Sequence, residues 1–109
     1  MFNKNHPNYF YTSEGIRLFY NTNYPVAELN PDKPVVVFIY GLLCSNNHFK
    51  YQIPYFEEMG YQILLHDYRF HFASSQDGDI ETCNFPNIAK DLHELLASLN
   101  IKKTLFVGH

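Results

Sequence analysis

The chain has 109 residues, 46% of them hydrophobic and 17% charged, with a formal net charge of −3. That length allows one domain at most, the composition excludes a disordered tail, and the mild acidity leaves no basic footprint for DNA or RNA. No apolar run approaches the roughly 20 residues that a membrane-spanning helix needs. Met1–Phe10 also lacks the apolar stretch of a secretion signal, so a cytoplasmic location is expected.

In chain order, Tyr9 to Tyr20 reads as two short strands around Ser13-Glu14-Gly15, a loop short enough for a hairpin. Ile16, Leu18 and Tyr20 alternate with Arg17 and Phe19, as in a half-buried strand. From Asn21 to Pro34 the periodicity vanishes, and Pro25, Pro31 and Pro34 among Asn and Asp predict a connecting loop. Val35 to Tyr40 is a continuous β-branched and aromatic run ended by Gly41, the pattern of a parallel strand covered on both faces. Asn46 or Asn47 is placed to cap a helix to about Met59, which Pro54 must kink or interrupt and Gly60 stops. Tyr61 to His66 is the next strand, with Asp67 at its end, and Ala73 to Asp79 reads as a polar loop.

Ile88, Leu92, Leu95, Leu96 and Leu99 then recur at helical period, with Lys90, Asp91, Glu94 and Ser98 assigned to the opposite side. Asn84 and Pro86 mark that helix's start. Thr104 to Val107 is the last apolar run, followed by Gly108-His109. Hairpin, strand, helix, strand, helix, strand predicts an α/β fold: a mostly parallel sheet with an N-terminal β-hairpin and flanking helices.

Open α/β sheets bind ligands outside the carboxyl ends of their strands. Three such ends are Gly41-Leu42-Leu43-Cys44-Ser45, Asp67-Tyr68-Arg69 and Gly108-His109. Gly41 permits close approach of backbone to substrate, which lets Leu42 present a free N–H. Asp67 and Arg69 are expected to pair and fix their loop. Cys44 and Cys83 fit small buried hydrophobes. Cys44 and His48 lie four apart but have no third group to orient them. Ser74 and Ser75 read as solvated loop residues. The dispersed histidines predict no metal site. Without G-x-G-x-x-G or a P-loop, a dinucleotide-binding reading fails and no cofactor is expected.

These stretches resemble the α/β-hydrolase family. Members carry His-Gly and apolar residues after the third strand, Asp-x-Arg-Gly-x-Gly-x-Ser after the fourth, and Gly-x-Ser-x-Gly after the fifth. The corresponding residues are Tyr40-Gly41-Leu42-Leu43, Asp67-Tyr68-Arg69-Phe70-His71-Phe72-Ala73-Ser74, and Leu105-Phe106-Val107-Gly108-His109. Tyr40 replaces the usual His, and Phe70 and Phe72 replace two glycines. The resemblance implies that residues 1–109 form the N-terminal half of an α/β-hydrolase domain. It makes Leu42, supported by Gly41, half of the oxyanion hole, and Gly108-His109 the approach to the nucleophile elbow. The nucleophile would follow His109, and acid and base would come later, so no catalytic triad residue is expected within the chain. The implied function is the N-terminal portion of a serine hydrolase, carboxylesterase- or lipase-like, acting on a small ester or acyl substrate and inactive as residues 1–109 alone. The alternative is a non-catalytic remnant, or a half-domain that pairs with a second polypeptide. Leu105, Phe106 and Val107 would otherwise expose an apolar edge through which the chain self-associates.

Overall fold

The computed structural model describes residues 8–41, 44–76 and 78–108. Five strands form one mixed sheet: β1 (Asn8–Tyr11), β2 (Arg17–Thr22), β3 (Val35–Ile39), β4 (Gln62–His66) and β5 (Thr104–Gly108). Their spatial order is β1-β2-β4-β3-β5. The hairpin pairs antiparallel, β2 pairs antiparallel with β4, and β3 pairs parallel with both β4 and β5. Parallel neighbours need crossovers. Here helices α1 (Gln52–Glu58) and α2 (Phe85–Ser98) lie in those two connections.

Strand pleating sends alternate residues of β3 to opposite faces. Val36 and Phe38 join Ile63 and Phe49 in one buried cluster, against which Ile53 and Phe56 of α1 pack. Val35 and Val37 join Leu64 under Leu92 and Leu95 of α2 in the other. β3 is therefore apolar throughout because it has no solvent face.

Both helices end in the same manner. Gly60 (φ 85°) and Asn100 (φ 58°) take the left-handed conformation. Gly60 N–H donates to Glu57 C=O and Tyr61 N–H to Phe56 C=O. Asn100 N–H likewise donates to Ala97 C=O, and Ile101 N–H to Leu96 C=O. These are paired Schellman bonds that satisfy the last carbonyls. At the start of α2, the Asn84 side chain accepts from Asn87 N–H at 3.0 Å, with Pro86 in the first turn as expected.

Two local expectations are corrected. The segment after Gly41 is not one kinked helix but a 3₁₀ turn (Asn46–Phe49) followed by α1. Ser45, not Asn46 or Asn47, caps that turn, its Oγ accepting from Asn47 N–H at 3.2 Å. Pro54 then falls in the first turn of α1, where its missing N–H costs no hydrogen bond. Asp91 is the second correction. It is buried at 2% exposure instead of lying on the solvent face of α2.

Candidate active site at the carboxyl edge of the sheet

Parallel pairing brings the ends of β3, β4 and β5 to one edge. Ile39 lies opposite Gly108, so the turn after β3, which begins at Tyr40-Gly41, stands beside the end of β5. Leu42, the expected oxyanion donor, and His109 lie outside the described residues. At Gly108 an added Cβ would meet no atom within 4 Å, so packing among the described residues does not demand glycine there.

The turn after β3 is tied to the loop after β4 through two tyrosines. Tyr68 N–H donates to the Tyr40 hydroxyl at 3.0 Å, and the Tyr68 hydroxyl donates to Tyr40 C=O at 2.7 Å. Their rings lie 4.2 Å apart, and both side chains are buried. Tyr40 Oη in turn donates to Asp67 Oδ1 at 3.4 Å. Burial drives the Tyr40 phenol well above its ordinary range and lifts that of Tyr68 to about 12. Burial also raises the Asp67 carboxyl, opposed by the hydrogen bond its Oδ2 accepts from Ala73 N–H at 3.2 Å.

Asp67 and Arg69 fix this loop, but through different partners and not through each other. Arg69 Nε and Nη2 donate to the two carboxylate oxygens of Asp91 at 2.8 and 2.7 Å, a bidentate fork. Nη2 also reaches Glu14 at 3.1 Å, and Lys90 meets the same Glu14 oxygen at 3.2 Å. The Asp91 hydrogen bonds, then Glu14, raise the Arg69 pKa. Arg69, chiefly, and Lys90 lower that of Glu14. Through these contacts the loop, the hairpin turn and α2 are joined.

Ser74 and Ser75 are not idle solvated residues. Ser74 is buried; its hydroxyl donates to Asp67 C=O at 2.6 Å and accepts from Phe19 N–H at 2.9 Å. Ser75 Oγ accepts from Arg17 N–H, and Ser75 N–H donates to Arg17 C=O, both at 2.7 Å. The loop thereby continues along β2 after β4 has ended.

Phe70 (φ 65°) and Phe72 (φ 43°) occupy left-handed backbone at the two positions where the resemblance puts glycine. For a residue with a Cβ that conformation costs about 1–2 kcal/mol. Phe72 is 62% exposed and recovers little of it by burial. Phe72→Gly is expected to raise stability by about 0.5–1 kcal/mol, the released strain outweighing glycine's extra unfolded-state entropy. Urea unfolding of the two proteins checks this, and a lower midpoint for the variant contradicts it.

His66 closes β4 with its ring 1% exposed, and neither ring nitrogen has a hydrogen-bond partner among the described residues. Burial alone lowers its pKa from 6.5 to about 4, so the ring is neutral at pH 7. Cys44 and Cys83 are free thiols packed against the cluster around Phe38, but both are only half-buried and not the fully buried hydrophobes expected. Among the described residues no three His, Cys, Asp or Glu side chains gather as metal ligands, and no helix is long and apolar enough to cross a membrane. A cavity between Leu29, Asn30, Lys33, Leu99, Ile101 and Lys103 lies at the opposite, amino edge, away from these loops.

A sheet whose parallel strands deliver their loops to one edge, with helices in its crossovers, is the frame of an open α/β fold, in which ligands bind outside the carboxyl ends of the strands. Residues 34–109 match the family model of the alpha/beta hydrolase fold, and the chain belongs to that family. It is 30% identical over 79 residues to epoxide hydrolase A of Mycobacterium tuberculosis, covering 72% of this chain and 24% of the relative. It is 28% identical over 101 residues to the bifunctional esterase/perhydrolase DCH of Acinetobacter calcoaceticus, covering 93% and 34%. The crystal structure of epoxide hydrolase A from Mycobacterium thermoresistibile matches with a TM-score of 0.71 at 26% identity, over 95% of this chain and 31% of that one. The chain thus spans about a quarter to a third of the length of these curated relatives.

Proposed function

We propose that these residues supply the N-terminal portion of a serine acyl hydrolase, carboxylesterase- or lipase-like, that acts on a small ester. The observation that supports this reading is the pairing of Ile39 with Gly108, which sets the Gly41 turn beside the residue read by resemblance as the approach to the elbow. A nucleophile following His109 would then attack a carbonyl lying between the two turns. The Leu42 N–H, next to Gly41, would hold the developing oxyanion, where fixed donors contribute most to rate. Acid and base would come from later residues, and no cofactor takes part. A half-domain completed by a second polypeptide along β5 would use the same chemistry, with the remaining residues supplied in trans.

The relatives named as epoxide hydrolases favour a second reading. In it an aspartate nucleophile opens an epoxide ring at the same place. The test uses the protein as its gene encodes it, its intact mass measured first. Hydrolysis of p-nitrophenyl acetate with covalent labelling by a fluorophosphonate is the expected result. Turnover of styrene oxide without labelling selects the aspartate reading, and inactivity toward both substrates, alone and with a second polypeptide added, overturns the two together. Activity that appears only on mixing with a second polypeptide identifies the half-domain arrangement.

A further inference from the structure

We propose that Tyr40 and Tyr68 are a pair of positioning residues whose reciprocal side-chain-to-backbone hydrogen bonds fix the peptide unit leading into Gly41. This inference rests on the proposed function, because that peptide unit precedes the N–H assigned to the oxyanion.

The argument begins with the planarity of the peptide bond. Tyr40 C=O and Gly41 N–H belong to one rigid plane. Holding the carbonyl therefore holds the direction in which the chain enters the turn. The Tyr68 hydroxyl does this at 2.7 Å. Gly41 has no side chain to fix the plane by packing, and the strand ladder ends at Ile39. The next bond of the turn, Cys44 N–H to Gly41 C=O at 2.9 Å, depends on that same entry direction.

The proton directions of the clasp are mutually consistent. Tyr40 Oη donates to Asp67 Oδ1, which leaves its lone pairs for Tyr68 N–H, while Tyr68 Oη donates to the Tyr40 carbonyl. Each hydroxyl thus serves the other residue's backbone. Phenylalanine would fill nearly the same space, so packing alone does not account for two buried phenols. Removing a hydroxyl leaves a backbone group without its partner, and the expected damage is local to the turn.

Tyr68→Phe in the protein as its gene encodes it, followed by amide hydrogen exchange, tests the assignment. The Cys44 amide is expected to exchange about tenfold faster than in the unaltered protein, while the Val36 amide in β3 keeps its rate. With p-nitrophenyl acetate, kcat is expected to fall about tenfold at unchanged KM, because the lost order concerns a donor used in the transition state. Tyr40→Phe, which orphans Tyr68 N–H instead, should loosen the same amide and serves if the first variant does not fold. An unchanged Cys44 rate, or equal acceleration at Cys44 and Val36, overturns the assignment by showing either no role or general destabilisation. If the unaltered protein hydrolyses neither ester nor epoxide, the proposed function fails, and the exchange rates still decide whether the clasp orders the turn.

Discussion

Asp91→Ala is expected to cost the fold about 3–5 kcal/mol, because it leaves a buried guanidinium without its main counter-charge. Arg69 is 1% exposed, and its remaining carboxylate, Glu14, sits at the surface. Folded domains have only about 5–15 kcal/mol of stability in total, so a loss of this size removes a large share of it and should lower the urea midpoint markedly. The loss belongs to the unpaired charge more than to the pair. Asp91→Ala combined with Arg69→Met should therefore be more stable than Asp91→Ala alone, since apolar replacements of a buried ion pair are often neutral. Circular dichroism during urea titration of both proteins checks this. Equal or greater loss in the double variant would show that Arg69 contributes chiefly through other contacts. Raising the salt concentration should leave the Arg69–Asp91 contribution intact while weakening the exposed Glu14–Lys90 contact.

The second large effect is a loss of stability in mild acid, traced to His66. Its folded pKa of about 4 lies below the unfolded value of 6.5, so the unfolded chain takes up the proton first as pH falls. Stability from this residue is intact above pH 6.5, declines below it, and levels off only under about pH 4. At about 1.4 kcal/mol per pKa unit the full loss is about 3 kcal/mol, of which about 2 kcal/mol appears between pH 7 and pH 5. Asp67 works in the opposite sense: its raised carboxyl pKa favours the folded state as pH falls. His66→Leu removes two polar atoms that have no partner among the described residues, and the titration with them. It is expected to unfold at a similar or higher urea concentration at pH 7 and to lose most of the difference between pH 7 and pH 5. A variant with the same acid slope as the parent would assign that slope to other groups.

The strands and α2 were legible because burial imposes a period on residue type. Val35–Ile39 is apolar at every position because both faces are covered, and Ile88, Leu92 and Leu95 repeat because α2 covers one face of the sheet. What escaped depends on partners distant in the chain. Asp91 stands three residues after Ile88 and four before Leu95, so its spacing marked the buried stripe while its residue type argued against it. Only Arg69, 22 residues earlier, explains its place there. Ser74 is polar for the same kind of reason, since its partners Asp67 and Phe19 appear only once the loop lies along β2. The departures at Tyr40, Phe70 and Phe72 were visible as residues, but their consequences were not. The clasp joins tyrosines 28 residues apart, and a left-handed φ leaves no mark in a sequence that lacks the glycine which usually signals it.

The order of pairing around β3 also has a kinetic meaning. The β1–β2 hairpin joins neighbouring residues and can close within microseconds. The β3–β4 pairing spans one crossover, and Val35 and Thr104 meet across 69 positions of sequence. Contacts of such long sequence separation are the slow ones to form. The alignment of Gly108 with Ile39 is thus expected among the later features to arise in refolding, after the hairpin has closed. Time spent in that interval, with β3 still open on one side, is when the chain is most exposed to pairing with the wrong strand.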